Sequence, residues 1–211
     1  MTLTFLKLII SSSGTLTDVL LAQSEAFLEE LIDFVQTTQT EQEFQTFNQL
    51  PTVEQYIQRR IGSGAVKVCF ALTEFCHGIS LSPSIIADKD MRILWDHASI
   101  VTCVTNDLVS IRKELDQGQV DTIVPLLYVR HGDLDRAVKE AVNIMVDSIK
   151  TMDEATEVLY ERYKDSPEFE NMKKVVDACK LSCTGNLAWS LRSGRFKVFL
   201  PNTANGIDVE L

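Results

Sequence analysis

Apolar residues recur at three- and four-residue spacing through most of the 211 positions, and two-residue alternation is nearly absent, which predicts helices and almost no strand. From Leu16 to Gln36 the residues Leu20, Leu21, Phe27, Leu28, Leu31, Ile32 and Val35 fall on or beside one face, so this segment is expected to bury that face. Glu25, Glu29, Glu30 and Asp33 then read as its solvated side. A polar Thr/Gln/Glu run continues to Gln49, and Pro51-Thr52-Val53-Glu54 opens a second helix with an acidic first turn. Gly62 and Gly64 interrupt it. Val66 to Gly78 resumes as an apolar helix, and Leu81 to Pro83 makes a turn.

The longest coherent helical pattern is expected from Met91 to Glu114, closed by Asp116-Gln117-Gly118-Gln119, a turn suited to a lid. Further helices are expected over 121–130, 133–163 and 167–191, punctuated by Gly132 and by Asp165-Ser166-Pro167. No repeat and no long linker divides the chain. Residues 1–211 therefore read as one all-α domain.

Hydrophobic residues make up 45% and charged residues 24%, ordinary globular usage for a chain able to hold one sizeable core. A net charge of −10 and a pI near 4.8 disfavour nucleic acid and anionic lipid surfaces, because no basic stripe exists to displace counterions. The apolar stretch from Leu3 to Ile10 is too short to span a membrane, which takes about 20 residues. It lacks the charged start of a signal peptide and reads instead as the stump of an interior helix. Cys69, Cys76, Cys103, Cys179 and Cys183 sit in apolar runs and are expected to be buried, reduced thiols of a cytoplasmic protein. His77, His97 and His131 are scattered and form no zinc pattern.

Within the long helical pattern, Asn106, Ser110 and Glu114 stand four residues apart. Each such step advances about 40° around a helix and roughly 6 Å along it, so the three oxygens wind along one stripe that a single ion can touch. An amide, a hydroxyl and one carboxylate are hard donors suited to Mg²⁺ or Mn²⁺. Read from spacing alone, the same stripe also fits a polar face on a surface helix.

The full string Asn106-Asp107-Leu108-Val109-Ser110-Ile111-Arg112-Lys113-Glu114 resembles the metal-binding motif of class I terpene synthases, in particular fungal sesquiterpene cyclases, which carry Lys directly before the Glu. Upstream, Arg60-Ile61-Gly62-Ser63-Gly64 resembles that family's diphosphate-sensing arginine with its linker and effector positions, and it stands 46 residues before Asn106. Downstream, Trp189-Ser190-Leu191-Arg192-Ser193-Gly194-Arg195-Phe196 is similar to the family's closing segment, with Phe196 where Tyr is usual. The resemblance covers roughly residues 50 to 200. The family's aspartate-rich metal motif has no counterpart here, so the chain resembles the C-terminal part of the all-α terpenoid synthase fold, truncated at its N-terminal side.

The resemblance implies an enzyme that ionises a prenyl diphosphate, farnesyl diphosphate for a sesquiterpene, with Mg²⁺ and cyclises the resulting carbocation. Asn106, Ser110 and Glu114 would hold metal, and Arg60, Lys113 and Arg195 would bind diphosphate. Gly64 would aim a carbonyl at the ionising carbon, and Trp189 would face the cation. Its other reading is a packed core indole. Thr102, Ser99 or Ala98, and Trp95 are expected to line the cavity above the metal, with Trp95 and Phe70 as further aromatic candidates. Two other readings stand beside this: a truncated, non-catalytic relative, and an unrelated helical interaction module. A shortened helical barrel would expose apolar seams and self-associate.

Overall fold

The computed structural model describes residues 14–46 and 49–196, and the reading of Leu3–Ile10 lies outside them. Nine helices are seen among the described residues, and no strand: α1 Gly14–Thr46, α2 Val53–Ser63, α3 Val66–Phe70, α4 Thr73–His77, α5 Pro83–Ile86, α6 Lys89–Asp116, α7 Ile123–His131, α8 Leu134–Tyr163 and α9 Phe169–Arg192. The longest is α1, which absorbs most of the polar run once expected to follow it. The apolar stretch after Gly64 is two short helices instead of one, and Pro83 starts α5 where only a turn was expected.

Local chemistry sets the helix starts. Thr52 Oγ1 accepts from the Gln55 amide at 3.2 Å while Gln55 Oε1 accepts from the Thr52 amide at 2.9 Å, a reciprocal cap on α2. Asp88 caps α6 and Asp133 caps α8, each accepting from a first-turn amide at 2.9 Å. Gly132 ends α7 at φ +66°, a backbone angle that costs glycine nothing.

Helix α6 is the axis of the molecule. Its first half buries Met91, Leu94, Trp95, Ala98 and Val101 against α3, α8 and α9. A second face, reaching further along the helix, buries Ile100, Val104 and Ile111 against Val53 and Tyr56 of α2, Ile123, Val124 and Leu127 of α7, and Ala137 and Ala141 of α8. Helix α9 runs parallel to α6. Cys183 Sγ lies 3.6 Å from the Ala98 carbonyl and Asn186 Nδ2 3.4 Å from the Thr102 carbonyl, so eighty-odd residues of separation hold constant along the pair. With equal rise in both helices, that register sets Ser190 level with Asn106.

Helix α1 is rotated from the expected way: Phe27 packs against the core and Glu25 and Glu29 are exposed as expected, but the rest of the two rows is displaced. Leu28, Ile32 and Val35 are 49%, 48% and 56% exposed, whereas Glu30 is only 7% exposed. Glu30 accepts from Arg92 at 2.5 Å, and Lys67 of α3 lies 3.2–3.7 Å from Glu30, Asp33 and Asp96. Glu30 and Asp33 thus face basic residues of the fold, and the burial of Glu30 is offset by pairing. Cys69 and Cys76 are exposed, against expectation, and Cys103, Cys179 and Cys183 are buried. No helix among the described residues is long and apolar enough to cross a membrane.

Candidate functional site

Ser110 and Glu114 lie buried on the inner side of α6, and Asn106 is half-buried one turn earlier. The Ser110 hydroxyl donates to Glu114 Oε1. Glu114 Oε2 is buried and has no hydrogen-bond partner among the described residues. An unpartnered buried carboxylate oxygen costs free energy unless a cation or donor reaches it. No group of three or more His, Cys, Asp or Glu is placed to hold a metal among the described residues, so any ion here draws on the amide and hydroxyl as well. The vacant acceptor on Glu114 and the all-oxygen set fit a hard divalent ion.

The sensor-like arginine is brought to this stripe through a residue that sequence reasoning passed over. Arg60 Nη2 lies 3.6 Å from Asp107 Oδ1, and Asp107 follows Asn106 directly. Asp107 is 2% exposed; its Oδ2 accepts from the Tyr56 hydroxyl, and from the Ile123 amide at 3.3 Å. Burial pushes the Asp107 carboxyl up to about 6, against the pull of Arg60 and the Tyr56 hydroxyl. Burial works against the charge on Arg60, but the acidic groups around it, Cys103, Tyr56, Asp107 and Glu41, hold its pKa above the ordinary arginine range. The signal available in the sequence was periodicity: position 107 continues the buried row of Ile100, Val104 and Ile111, where an aspartate is out of place unless partnered.

The neighbouring Arg59 points the other way. It pairs with Asp121 at 2.9 Å and lies over the rings of Phe44 and Tyr56. Two adjacent arginines of α2 therefore reach α6 and the segment after the Gly118 turn.

Gly64 caps α2, donating its amide to the Arg60 carbonyl at 3.0 Å. The break expected there is present, but the left-handed residue is Ala65, at φ +57°, while Gly64 keeps an ordinary right-handed conformation. The Cys103 thiol lies 3.6 Å from the Arg60 carbonyl, and burial pushes that thiol up to about 11, so it stays protonated and donates. Gly62 lies where a side-chain carbon would come within 2.6 Å of Thr37, which lets α2 press against α1.

Lys113 is half-buried beside the stripe, and Arg195 is exposed with its guanidinium 5.4 Å from the Phe196 ring centroid. Trp189 is 54% exposed and meets Phe196 edge to face at 6.1 Å, so it is not a packed core indole. Trp95 and Phe70 are core residues in contact at 5.8 Å, and Ala98 and Ser99 are fully buried; Thr102 alone of that row is half-exposed. Trp95 borders a different cavity of about 480 Å³ at the start of α6, with Gln23, Glu30, Glu74 and Arg92, roughly 16 Å along the helix from Asn106.

A family model described as "Terpene synthase family 2, C-terminal metal binding" matches residues 15–151, well over half of the chain. The chain belongs to the terpene synthase family. The sesquiterpene cyclase hepA of Aspergillus oryzae is 30% identical over 177 residues, which cover 82% of this chain and 48% of that protein. Pristinol synthase of Streptomyces pristinaespiralis is 26% identical over 154 residues, 71% and 41% of the two chains. The chain thus spans about half the length of the curated terpene synthases it matches. Among solved terpene synthases, the linalool/nerolidol synthase of Streptomyces clavuligerus in complex with 2-fluorogeranyl diphosphate superposes with a TM-score of 0.75 at 20% identity, covering 82% of this chain and 59% of that one. The 2-methylisoborneol synthase of Streptomyces coelicolor with Mg²⁺ and 2-fluorogeranyl diphosphate gives 0.73 at 22% identity, covering 85% and 57%. The fold is the all-α terpenoid synthase fold, as expected.

Proposed function

We propose that this chain carries the diphosphate- and metal-binding half of a class I sesquiterpene cyclase acting on farnesyl diphosphate, as one all-helical cytoplasmic domain. One observation carries the reading: the Arg60 guanidinium meets Asp107, which stands between Asn106 and Ser110, so a strong anion-binding group reaches the helix that bears the Asn106, Ser110 and Glu114 oxygens. Asn106, Ser110 and Glu114 would hold Mg²⁺, which when bound withdraws negative charge from the diphosphate oxygens.

In this reading Arg60, Lys113 and Arg195 donate hydrogen bonds to the diphosphate. As the allylic carbon–oxygen bond breaks, its electron pair leaves with the diphosphate, and these donors stabilise the charge that develops there. Charge-assisted bonds to a planar guanidinium are roughly twice as strong as neutral ones. The carbocation left behind needs apolar walls and aromatic faces, a role for Trp189, while a carbonyl near Gly64 steadies positive charge at the ionising carbon. The carbonyl that the Cys103 thiol now engages, that of Arg60, lies next to this position.

A second reading, binding of Mg²⁺–diphosphate without turnover, is favoured by the exposure of Trp189 and of the α1 row Leu28, Ile32 and Val35, since a cation formed there would meet water. The same exposed row supports self-association of the isolated chain. Incubation with farnesyl diphosphate and Mg²⁺, with analysis of volatile hydrocarbons and alcohols, separates the two readings. Binding of diphosphate that ignores Mg²⁺ would sink both.

A further inference from the structure

The carboxylate of Asp107 on α6 meets three groups from two neighbouring helices, α2 and α7. It receives Arg60 and the Tyr56 hydroxyl from α2 and the Ile123 amide from the start of α7, and it stands between Asn106 and Ser110 in sequence. Its position on α6 is about 100° around the axis from Asn106 and 60° from Ser110 but only about 20° from Glu114, so it borders the oxygen stripe on the side of α2 and α7. With one oxygen occupied by Tyr56 and Ile123, the other is left for Arg60. The separation of 3.6 Å is a loose ion pair, and Arg60 Nε has no partner among the described residues. Donors on that guanidinium therefore stay available to an incoming anion while its direction is fixed.

We infer that Asp107 is a positioning residue, braced by Tyr56 and the α7 amide, that aims Arg60 at the diphosphate. This role presupposes the reading of Arg60 as a diphosphate ligand. It makes a prediction opposite in sign to simple electrostatics. A carboxylate near an anion site repels the anion, so its neutralisation alone tightens anion binding. Loss of an aimed guanidinium weakens it.

The test is calorimetry of the full chain with inorganic pyrophosphate and Mg²⁺. Asp107→Asn keeps the shape and removes the charge, and it is expected to weaken binding about tenfold, with Tyr56→Phe weakening it about threefold. Combining Arg60→Ala with Asp107→Asn is expected to bind no more weakly than Arg60→Ala alone, because Asp107 acts only through that arginine. A merely structural aspartate would give losses that multiply. Unchanged or tighter binding in Asp107→Asn, or multiplied losses in the double variant, overturns the role. If the wild-type chain binds no pyrophosphate, the proposed function falls instead. Urea unfolding of the wild type, Arg60→Ala, Asp107→Asn and their double variant then still decides the pairing: midpoint shifts that are coupled keep Asp107 as the holder of Arg60, and additive shifts remove it.

Discussion

Gly64 lies so close to Cys103 that a side-chain carbon on it would sit 2.4 Å from the Cys103 sulfur and 2.9 Å from the Arg60 carbonyl oxygen. The helix break between α2 and α3 is thus pressed onto the middle of α6, with no room for a methyl group. Gly64→Ala is expected to destabilise the fold by about 1–3 kcal/mol through overpacking. Cys103→Ala in the same chain should recover part of that, since the sulfur gives way and the carbonyl does not. Urea midpoints of the two single variants and the double variant check this; simple additivity would refute the contact.

Glu114→Gln removes the charge at the vacant oxygen but leaves an acceptor for the Ser110 hydroxyl. Folding should be preserved, and Mg²⁺-dependent pyrophosphate binding should fall by about a hundredfold. Calorimetry with and without Mg²⁺ reads both terms. An unaltered Mg²⁺ dependence would show that the stripe is not the metal site.

Lys67 is only 12% exposed and faces three carboxylates, one of them the buried Glu30. Lys67→Met leaves Glu30 with Arg92 as its basic partner and should cost about 2–4 kcal/mol. Thermal or urea unfolding measures the loss. A change of a few tenths would mean that the cluster is solvated and that α1 is free to turn its apolar row inward.

Asp88 predicts a pH dependence. Burial alone raises its carboxyl, but hydrogen bonds from Arg162, the Asp90 amide and Tyr163 together hold it below its ordinary value of 3.8. In the unfolded chain the group takes up a proton first as pH falls, so its contribution is present above about pH 4 and is lost as pH drops through the lower, folded value. Asp88→Asn should flatten that part of the unfolding-midpoint profile, measured from about pH 5 to about pH 2.5. Asp88→Ala should in addition lose the α6 cap, about 1 kcal/mol at neutral pH.

The two tryptophans differ in exposure, 2% for Trp95 and 54% for Trp189. A Trp95→Phe variant is left with Trp189, and its emission should be red-shifted and severalfold more open to acrylamide than that of a Trp189→Phe variant. Addition of a non-hydrolysable prenyl diphosphate analogue with Mg²⁺ should shield Trp189. Equal quenching before and after would remove Trp189 from the site.

Much of the helical layout is legible because it depends on short-range rules. The Thr52–Gln55 cap, the Asp133 cap, the Gly132 stop and the four-residue spacing along α6 are all statements about residues within a turn or two of one another. The same local rule sets Asn106, Ser110 and Glu114 on one stripe of a helix, whatever that helix packs against. Boundaries fared worse where propensity is weak: the polar residues up to Thr46 continue α1, and the stretch after Val66 splits at Ala71 and Leu72.

What the chain's own sequence determined, then, is which residues share a helix face, since that follows from a 3.6-residue period alone. Which face is turned inward was decided only by tertiary structure. In α1 the apolar row of Leu28, Ile32 and Val35 lies outside and Glu30 inside, because Lys67 and Arg92 arrive from α3 and α6 to neutralise it. Asp107 reads locally as one more polar residue beside Asn106; only the approach of Tyr56, Arg60 and the Ile123 amide, 16 to 51 residues away, makes it a buried hub. Periodicity carries no knowledge of partners, and the energy of a buried charge depends on nothing else.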